Sequence, residues 1–206
     1  MKLILIIGMH RCGTSLLSSY IESLGYYIGD NKNTDKDWQN PNGYWENDSF
    51  TDFHEKLLKY NNLEWYNVNI SNLNYTLEHV EEYFELIKKE FKNKERILIK
   101  DPRLSFFNNF LNDVIKKLDC ETKIIFSTRN KQECCVSLNK AQKIDYKIGE
   151  ILYENSHKCY TKKMLKISYN DFINDNQRIR KNICNFLNEK DSNFHNVDKK
   201  LYRNKF

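Results

Sequence analysis

The stretch from Lys2 to Leu17, KLILIIGMHRCGTSLL, restricts the fold of this chain more than any other. An apolar, β-favouring run ends at Gly8, and four residues separate that glycine from Gly13. A helical spacing then opens on Thr14 and Ser15, with Leu16, Leu17, Tyr20, Ile21 and Leu24 on one face and Gly25 as its stop. Strand, glycine loop and helix N-terminus in that order aim backbone N–H groups and the positive end of a helix dipole at one point, which suits a phosphate or a sulfate. The spacing is the skeleton of the nucleotide loop GxxxxGK[ST], but Thr14 stands where the lysine belongs. The positive charge lies inside the loop instead, at Arg11. A plain strand-to-helix turn capped by Thr14 and Ser15 is the alternative.

The rest of the chain repeats the alternation. RILI (96–99), KIIFS (123–127) and MLKIS (164–168) read as further short buried strands. Helical spacing predicts helices over 48–62, 73–91, 104–118, 145–162 and from Phe172 to Leu187. The apolar stripe of the 73–91 helix suits packing on its own domain. Strands alternating with helices, the anion loop first, predict an α/β fold: a three-layer α/β/α, P-loop NTPase-like domain around a central parallel sheet. At 206 residues the chain fits one domain, 1–206, with 29–72 as a loop or lid on the acceptor side.

Composition narrows the function. No apolar run reaches the roughly 18 residues of a membrane span, and a chain that opens directly into a strand leaves no room for a leader, so a whole protein of this sequence is expected in the cytoplasm. The net charge is +5, but lysines alternate with Glu and Asp as on solvated helix faces, and no nucleic-acid-binding pattern accompanies them. The six cysteines (Cys12, Cys120, Cys134, Cys135, Cys159, Cys184) show neither paired spacing nor histidine partners for a metal, so reduced thiols and no metal site are expected. Arginine is scarce beside lysine, with seven at positions 11, 96, 103, 129, 178, 180 and 203, so each is a candidate for planar, bidentate anion recognition.

With Arg11-Cys12-Gly13-Thr14-Ser15, the loop resembles that of the P-loop sulfotransferases that use 3′-phosphoadenosine 5′-phosphosulfate (PAPS), nearest to their carbohydrate-type and bacterial members. Cys12 stands where that family usually has Ser. Three further motifs in family order carry the resemblance: Lys100-Asp101-Pro102-Arg103 after the second strand, Arg129 with Ser137 eight residues on, and Tyr169-Asn170-Asp171-Phe172 after the fourth strand. Asn40-Pro41-Asn42-Gly43-Tyr44-Trp45-Glu46 is similar to a segment that follows the first helix in bacterial members.

The resemblance implies transfer of a sulfuryl group from PAPS to a hydroxyl, with a saccharide as the expected acceptor and 3′-phosphoadenosine 5′-phosphate as product. Arg11, Cys12, Gly13, Thr14 and Ser15 would cradle the donor, Arg129 and Ser137 would hold its 3′-phosphate, and Tyr169 would lie against the adenine. Sulfuryl transfer to an alcohol needs a base for the hydroxyl proton; Glu46 and Asp101 are both candidates, while Lys100 and Arg11 would offset charge on the transferring and leaving groups. A transferring sulfuryl group carries less negative charge than a phosphoryl group, so side-chain cations are expected to suffice without a metal. Local roles stay open beside these: Asp101 and Pro102 as cap and first turn of a helix, Glu46 as the cap of the helix near Asp48, and Trp65 and Tyr66 as core cover or as a surface for a sugar face. A small-molecule kinase with an altered loop is one alternative, although it lacks the loop lysine of phosphoryl transfer. A non-catalytic binder of 3′-phosphoadenosine nucleotides is another, kept open by Cys12. The tail from Val197 to Phe206 resembles the basic end of bacterial members, so the chain is expected to be complete.

Overall fold

Along β1 (Lys2–Ile7) the side chains alternate between two cores: Leu3, Leu5 and Ile7 enter one, Ile4 and Ile6 the other. That period of two, apolar on both faces, is what a strand covered by helices on either side requires. β1 pairs in parallel with β2 (Arg96–Lys100) and β3 (Glu121–Thr128), and β3 pairs in parallel with β4 (Leu165–Ser168). The computed structural model, which describes residues 1–33, 35, 40, 43–67 and 73–192, thus contains a four-stranded parallel sheet in the order β2-β1-β3-β4.

One core holds Ile4, Ile6, Leu98, Ile125 and Ile167 beneath α1 (Thr14–Ser23), α7 (Tyr169–Asn174) and α8 (Asn176–Leu187), through Tyr20, Ile21, Phe172 and Ile183. The other holds Leu3, Leu5, Ile7, Ile97, Ile99 and Phe126. Over it lie α2 (Asp48–Tyr60), α3 (Leu77–Glu90), α4 (Asn108–Leu118), α5 (Lys131–Gln142) and α6 (Tyr146–His157). Each large side chain sealed this way contributes about 1.5–3 kcal/mol. The three layers match the expected fold class.

Several boundaries differ from the expectation. α3 begins four residues late, because Thr76 accepts from the His79 amide and the His79 ring accepts from the Thr76 amide in a reciprocal cap. The expected helix from Leu104 is first a 3₁₀ turn, Pro102–Phe106, capped by the Asp101 carboxylate. The last helix is cut in two at Asp175, whose side chain starts α8 by accepting from the Arg178 amide. Asn47, not Glu46, caps α2. The six cysteines are free thiols. Arg203 and the rest of the basic tail lie outside the described residues, as do parts of the 29–72 segment.

Register places the chemistry. Ile6 is level with Lys100, Ile7 with Phe126, and Thr128 with Ser168. Gly8, Lys100, Arg129 and Tyr169 therefore all leave the sheet at its carboxyl edge, where open α/β sheets bind ligands.

Candidate active site

The loop between β1 and α1 is shaped by close approach. A side-chain carbon on Gly8 (φ 138°) would sit 2.3 Å from the Ser127 carbonyl oxygen, and one on Gly13 (φ 86°) 2.4 Å from the Tyr169 ring. Only glycine fits either place. Arg11 is also left-handed, at φ 68°, a conformation that costs a residue with a Cβ about 1–2 kcal/mol. The Ser127 hydroxyl pins the loop by donating to the Cys12 carbonyl at 2.6 Å. Among the described residues no side chain caps α1, and its first turn holds no acid. By contrast Asn47, Thr76, Asn130 and Asp145 cap α2, α3, α5 and α6. An uncapped N-terminus with its dipole facing the loop is suited to an anion.

β3 and the helix after it bring two of the expected donor-binding residues, Arg129 and Ser137, to this loop, and the end of β4 brings a third, Tyr169. Arg11 Nε donates to Ser137 Oγ at 3.1 Å. The Arg129 guanidinium lies 4.7 Å from the Tyr169 ring centroid and donates to the Arg11 carbonyl at 3.2 Å. It also pairs with Glu133 at 3.1 Å, a carboxylate that Asn170 supports with its amide. Cys12 is turned the other way. Its amide donates to Met9 O, and its thiol faces Cys134 with the sulfurs 3.3 Å apart in the core. Cys12 therefore lends the loop its carbonyl and its shape, with no side-chain atom in the cleft.

On the opposite side stands a buried ion pair. Lys100 is 3% exposed, and its ammonium donates to Glu46 Oε1 at 2.5 Å, to Tyr44 O at 3.0 Å and to Ser15 Oγ at 3.4 Å. Ser15 Oγ in turn donates to Tyr44 O and accepts from Asn40. Glu46 is fixed from both sides of its own backbone. Trp45, left-handed at φ 54°, anchors its indole on Glu22, and Asn47 holds Ile28 O and Glu90. The Glu46 carbonyl accepts from the Asn33 amide. Its carboxylate is left at the edge of the cleft, 15% exposed.

Asp101, the other candidate base, is sealed from solvent. It accepts from His54 Nδ1 at 2.8 Å, from the Arg103 amide, and from the Arg103 guanidinium through both oxygens. Burial alone would raise its pKa, but Arg103 and His54 outweigh it and hold the carboxyl below the usual range. His54 Nε2 meets the Tyr83 hydroxyl, so α2 and α3 lock this turn in place. Arg103 is shared with Glu55.

Sequence reasoning missed His10 as a member of the cleft and gave Arg103 no role of its own within the KDPR motif. His10 is partly buried, its ring 4.4 Å from that of Trp65. Removal from water and the Arg103 guanidinium, followed by Lys100 and Arg11, lower its pKa to about 3 against a smaller opposing effect of Asp101. The available signal was position: His10 precedes Arg11 in the loop, and Arg103 closes the KDPR motif.

The cleft thus gathers Arg11, Lys100, Arg129, Ser15, Ser137, Tyr169 and Glu46 around one loop. Among the described residues no cluster of acids, histidines or cysteines could hold a metal ion, and no helix is long and apolar enough to cross a membrane. No protein-family model matches the chain, and no curated protein is significantly similar to it in sequence. Among solved structures it is similar to the sulfotransferase domain of the olefin synthase from Synechococcus PCC 7002, with a TM-score of 0.56, 16% identity, and coverage of 96% of this chain and 75% of that one. The fold is P-loop sulfotransferase-like.

Proposed function

From a P-loop sulfotransferase-like fold whose anion loop is ringed by cations, we infer that this chain is a PAPS-dependent sulfotransferase acting on a hydroxyl, with a saccharide as acceptor. The observation that carries the reading is the meeting of Arg11, Ser137, Arg129 and Tyr169 at the loop, while Lys100 and Glu46 face it from β2. A cradle with an uncapped helix end, two guanidiniums and an aromatic ring fits a nucleotide carrying two separate anionic groups.

Bound there, PAPS supplies the sulfuryl group as a mixed anhydride of sulfate and phosphate. Arg129 and Ser137 bind the 3′-phosphate, Tyr169 lies along the base, and the amides of Gly13, Thr14 and Ser15 take the 5′ end. Glu46 accepts the proton of the acceptor hydroxyl as its oxygen bonds to sulfur and the anhydride S–O bond breaks. Lys100 and Arg11 offset charge on the sulfuryl oxygens and the leaving phosphate; fixed donors of this kind are usually the largest catalytic contribution. Glu46 is the base in preference to Asp101, because Asp101 has no solvent-facing surface and both its oxygens are engaged by Arg103.

Calorimetric titration with 3′-phosphoadenosine 5′-phosphate, without metal, tests the reading against ATP-Mg and 5′-AMP. Micromolar binding of the first, at least ~30-fold weaker in Arg129→Ala and absent for AMP, is expected. Preference for ATP-Mg overturns it in favour of a kinase, and binding without transfer to any hydroxyl leaves a nucleotide-binding protein.

A further inference from the structure

Trp65 and Tyr66 have no role in the donor site, and their setting is unusual. They occupy the two central positions of a tight turn closed by Asn67 N to Glu64 O at 3.0 Å and, in return, by Glu64 N to Asn67 Oδ1 at 2.7 Å. Turn tips ordinarily carry small polar residues. Here the tip carries two large aromatics in edge-to-face contact at 5.6 Å, with Tyr66 40% exposed. The turn is seated on the core and on the anion loop, since half-buried Trp65 packs against the core beneath it and meets the His10 ring at 4.4 Å with a 39° tilt. Among the described residues nothing hydrogen-bonds to the His10 ring nitrogens, although Arg103, Asp101, Lys100 and Arg11 are its electrostatic neighbours. Kept neutral first by removal from water and then by the cations among them, the imidazole offers one N–H and one lone pair. It can accept from or donate to a hydroxyl.

A rigid aromatic plate beside an unengaged neutral imidazole, at the lip of a cationic cleft, matches a ligand with a flat C–H face and a hydroxyl rim. We propose that the Glu64–Asn67 turn and His10 form the acceptor subsite, Trp65 packing on the C–H face of a pyranose and His10 hydrogen-bonding a hydroxyl at its rim. This rests on the sulfotransferase reading for its place in the reaction, and it assigns the substrate class to particular residues. An alkyl alcohol lacks the rim of hydroxyls, and the turn tip is no deep apolar slot for a phenol. Trp65 and His10 are binding residues here; the proton still goes to Glu46.

The test follows the indole N–H resonance of Trp65, assigned with Trp65→Phe, during titration with methyl hexopyranosides, 1-hexanol or benzyl alcohol, with and without 3′-phosphoadenosine 5′-phosphate. The glycosides are expected to shift it saturably and the two alcohols are not. With PAPS and a methyl hexopyranoside as acceptor, Trp65→Ala and His10→Ala are expected to raise KM at least ~10-fold, with His10→Gln recovering part of the loss, and nucleotide affinity staying within twofold throughout. An indole that ignores the glycosides, one that answers the alcohols equally, or variants that weaken nucleotide rather than acceptor binding overturn the proposal. Because the glycoside titration is also read without nucleotide, failure of the wild type to bind 3′-phosphoadenosine 5′-phosphate sinks the sulfotransferase reading separately. The saccharide subsite is then judged on the indole shift.

Discussion

Lys100→Met is the most informative single change, because the methionine keeps the stem and removes the ammonium. Lys100 is 3% exposed and its partner Glu46 15%, with 2.5 Å between Nζ and Oε1. At an effective dielectric of about 20 the attraction at that distance is roughly 6–7 kcal/mol gross, most of it offset by desolvating the two ions. The loss on substitution is set by what stays behind. Glu46 is left charged without its partner, whereas Tyr44 O still accepts from Ser15. Breaking a buried pair costs about 3–5 kcal/mol. Glu46 has a little water, so about 2–3 kcal/mol is expected, or roughly 5–10 °C in Tm for a chain of this length. Thermal unfolding followed by circular dichroism reads it. Adding Glu46→Gln removes the stranded charge, so the double variant should be more stable than Lys100→Met alone, with a coupling of at least ~1.5 kcal/mol. Sulfuryl transfer should fall at least ~100-fold in the single variant. A Tm within 2 °C of wild type, or strictly additive losses, would refute the buried-pair reasoning, and an undiminished rate would remove Lys100 from the reaction.

Three further outcomes are expected. Gly8→Ala places a carbon 2.3 Å from Ser127 O at φ 138°; it should cost about 2–4 kcal/mol and abolish binding of 3′-phosphoadenosine 5′-phosphate, and near-wild-type unfolding and affinity would contradict the described loop. Cys12→Ser should change stability by less than about 1.5 kcal/mol and nucleotide affinity by under threefold on calorimetry, because the thiol faces Cys134 and not the cleft; a larger loss of affinity would put that side chain in the site. His10 has a folded pKa of about 3 against 6.5, so the unfolded chain binds the extra proton between those values. Its contribution is whole above pH 6.5 and is lost as pH falls toward 3. Urea unfolding of His10→Gln should therefore show a flatter acid dependence than wild type over that window, and equal slopes would mean that His10 is not held neutral.

The parts legible in the sequence are those written locally. Strand β1, the two loop glycines and the opening of α1 form one uninterrupted stretch, and the unbroken apolar run from Leu3 to Ile7 announces a core on both faces of the strand. Arg129 and Ser137 lie on one strand–helix unit, so eight residues of spacing place both near the loop. What the sequence withheld depends on partners far along the chain. Glu46 and Lys100 are 54 residues apart, and no pattern in either segment reveals that they pair. Asp101 looked available as a base because nothing local predicts that His54 from α2, backed by Tyr83 from α3, covers it. His10 was passed over for the same reason, its ring partner Trp65 lying in a turn with no periodicity. The shifted helix starts have a nearer cause: a side-chain cap at Thr76 or Asp175 decides where the first amide is satisfied, and apolar spacing is blind to it.

The described charges of the cleft fall into two kinds, and the difference bears on mechanism. Arg103 is bound through both oxygens of an aspartate that no water reaches; exchanging that partner for a ligand would strand a buried carboxylate, so Arg103 is a fixed source of positive potential. Lys100 and Arg129 are braced instead by Glu46 and Glu133, whose side chains are 15% and 21% exposed. Those carboxylates can turn to water when an anion takes their cations, and each exchange trades one charged partner for another. For Lys100 the trade has a second effect. A sulfuryl oxygen on its ammonium leaves Glu46 an unpaired carboxylate at the cleft edge, held in position by Trp45 and Asn47. On the proposed reading the base is thus disarmed by its own lysine until the donor arrives, so acceptor deprotonation is tied to a filled donor site.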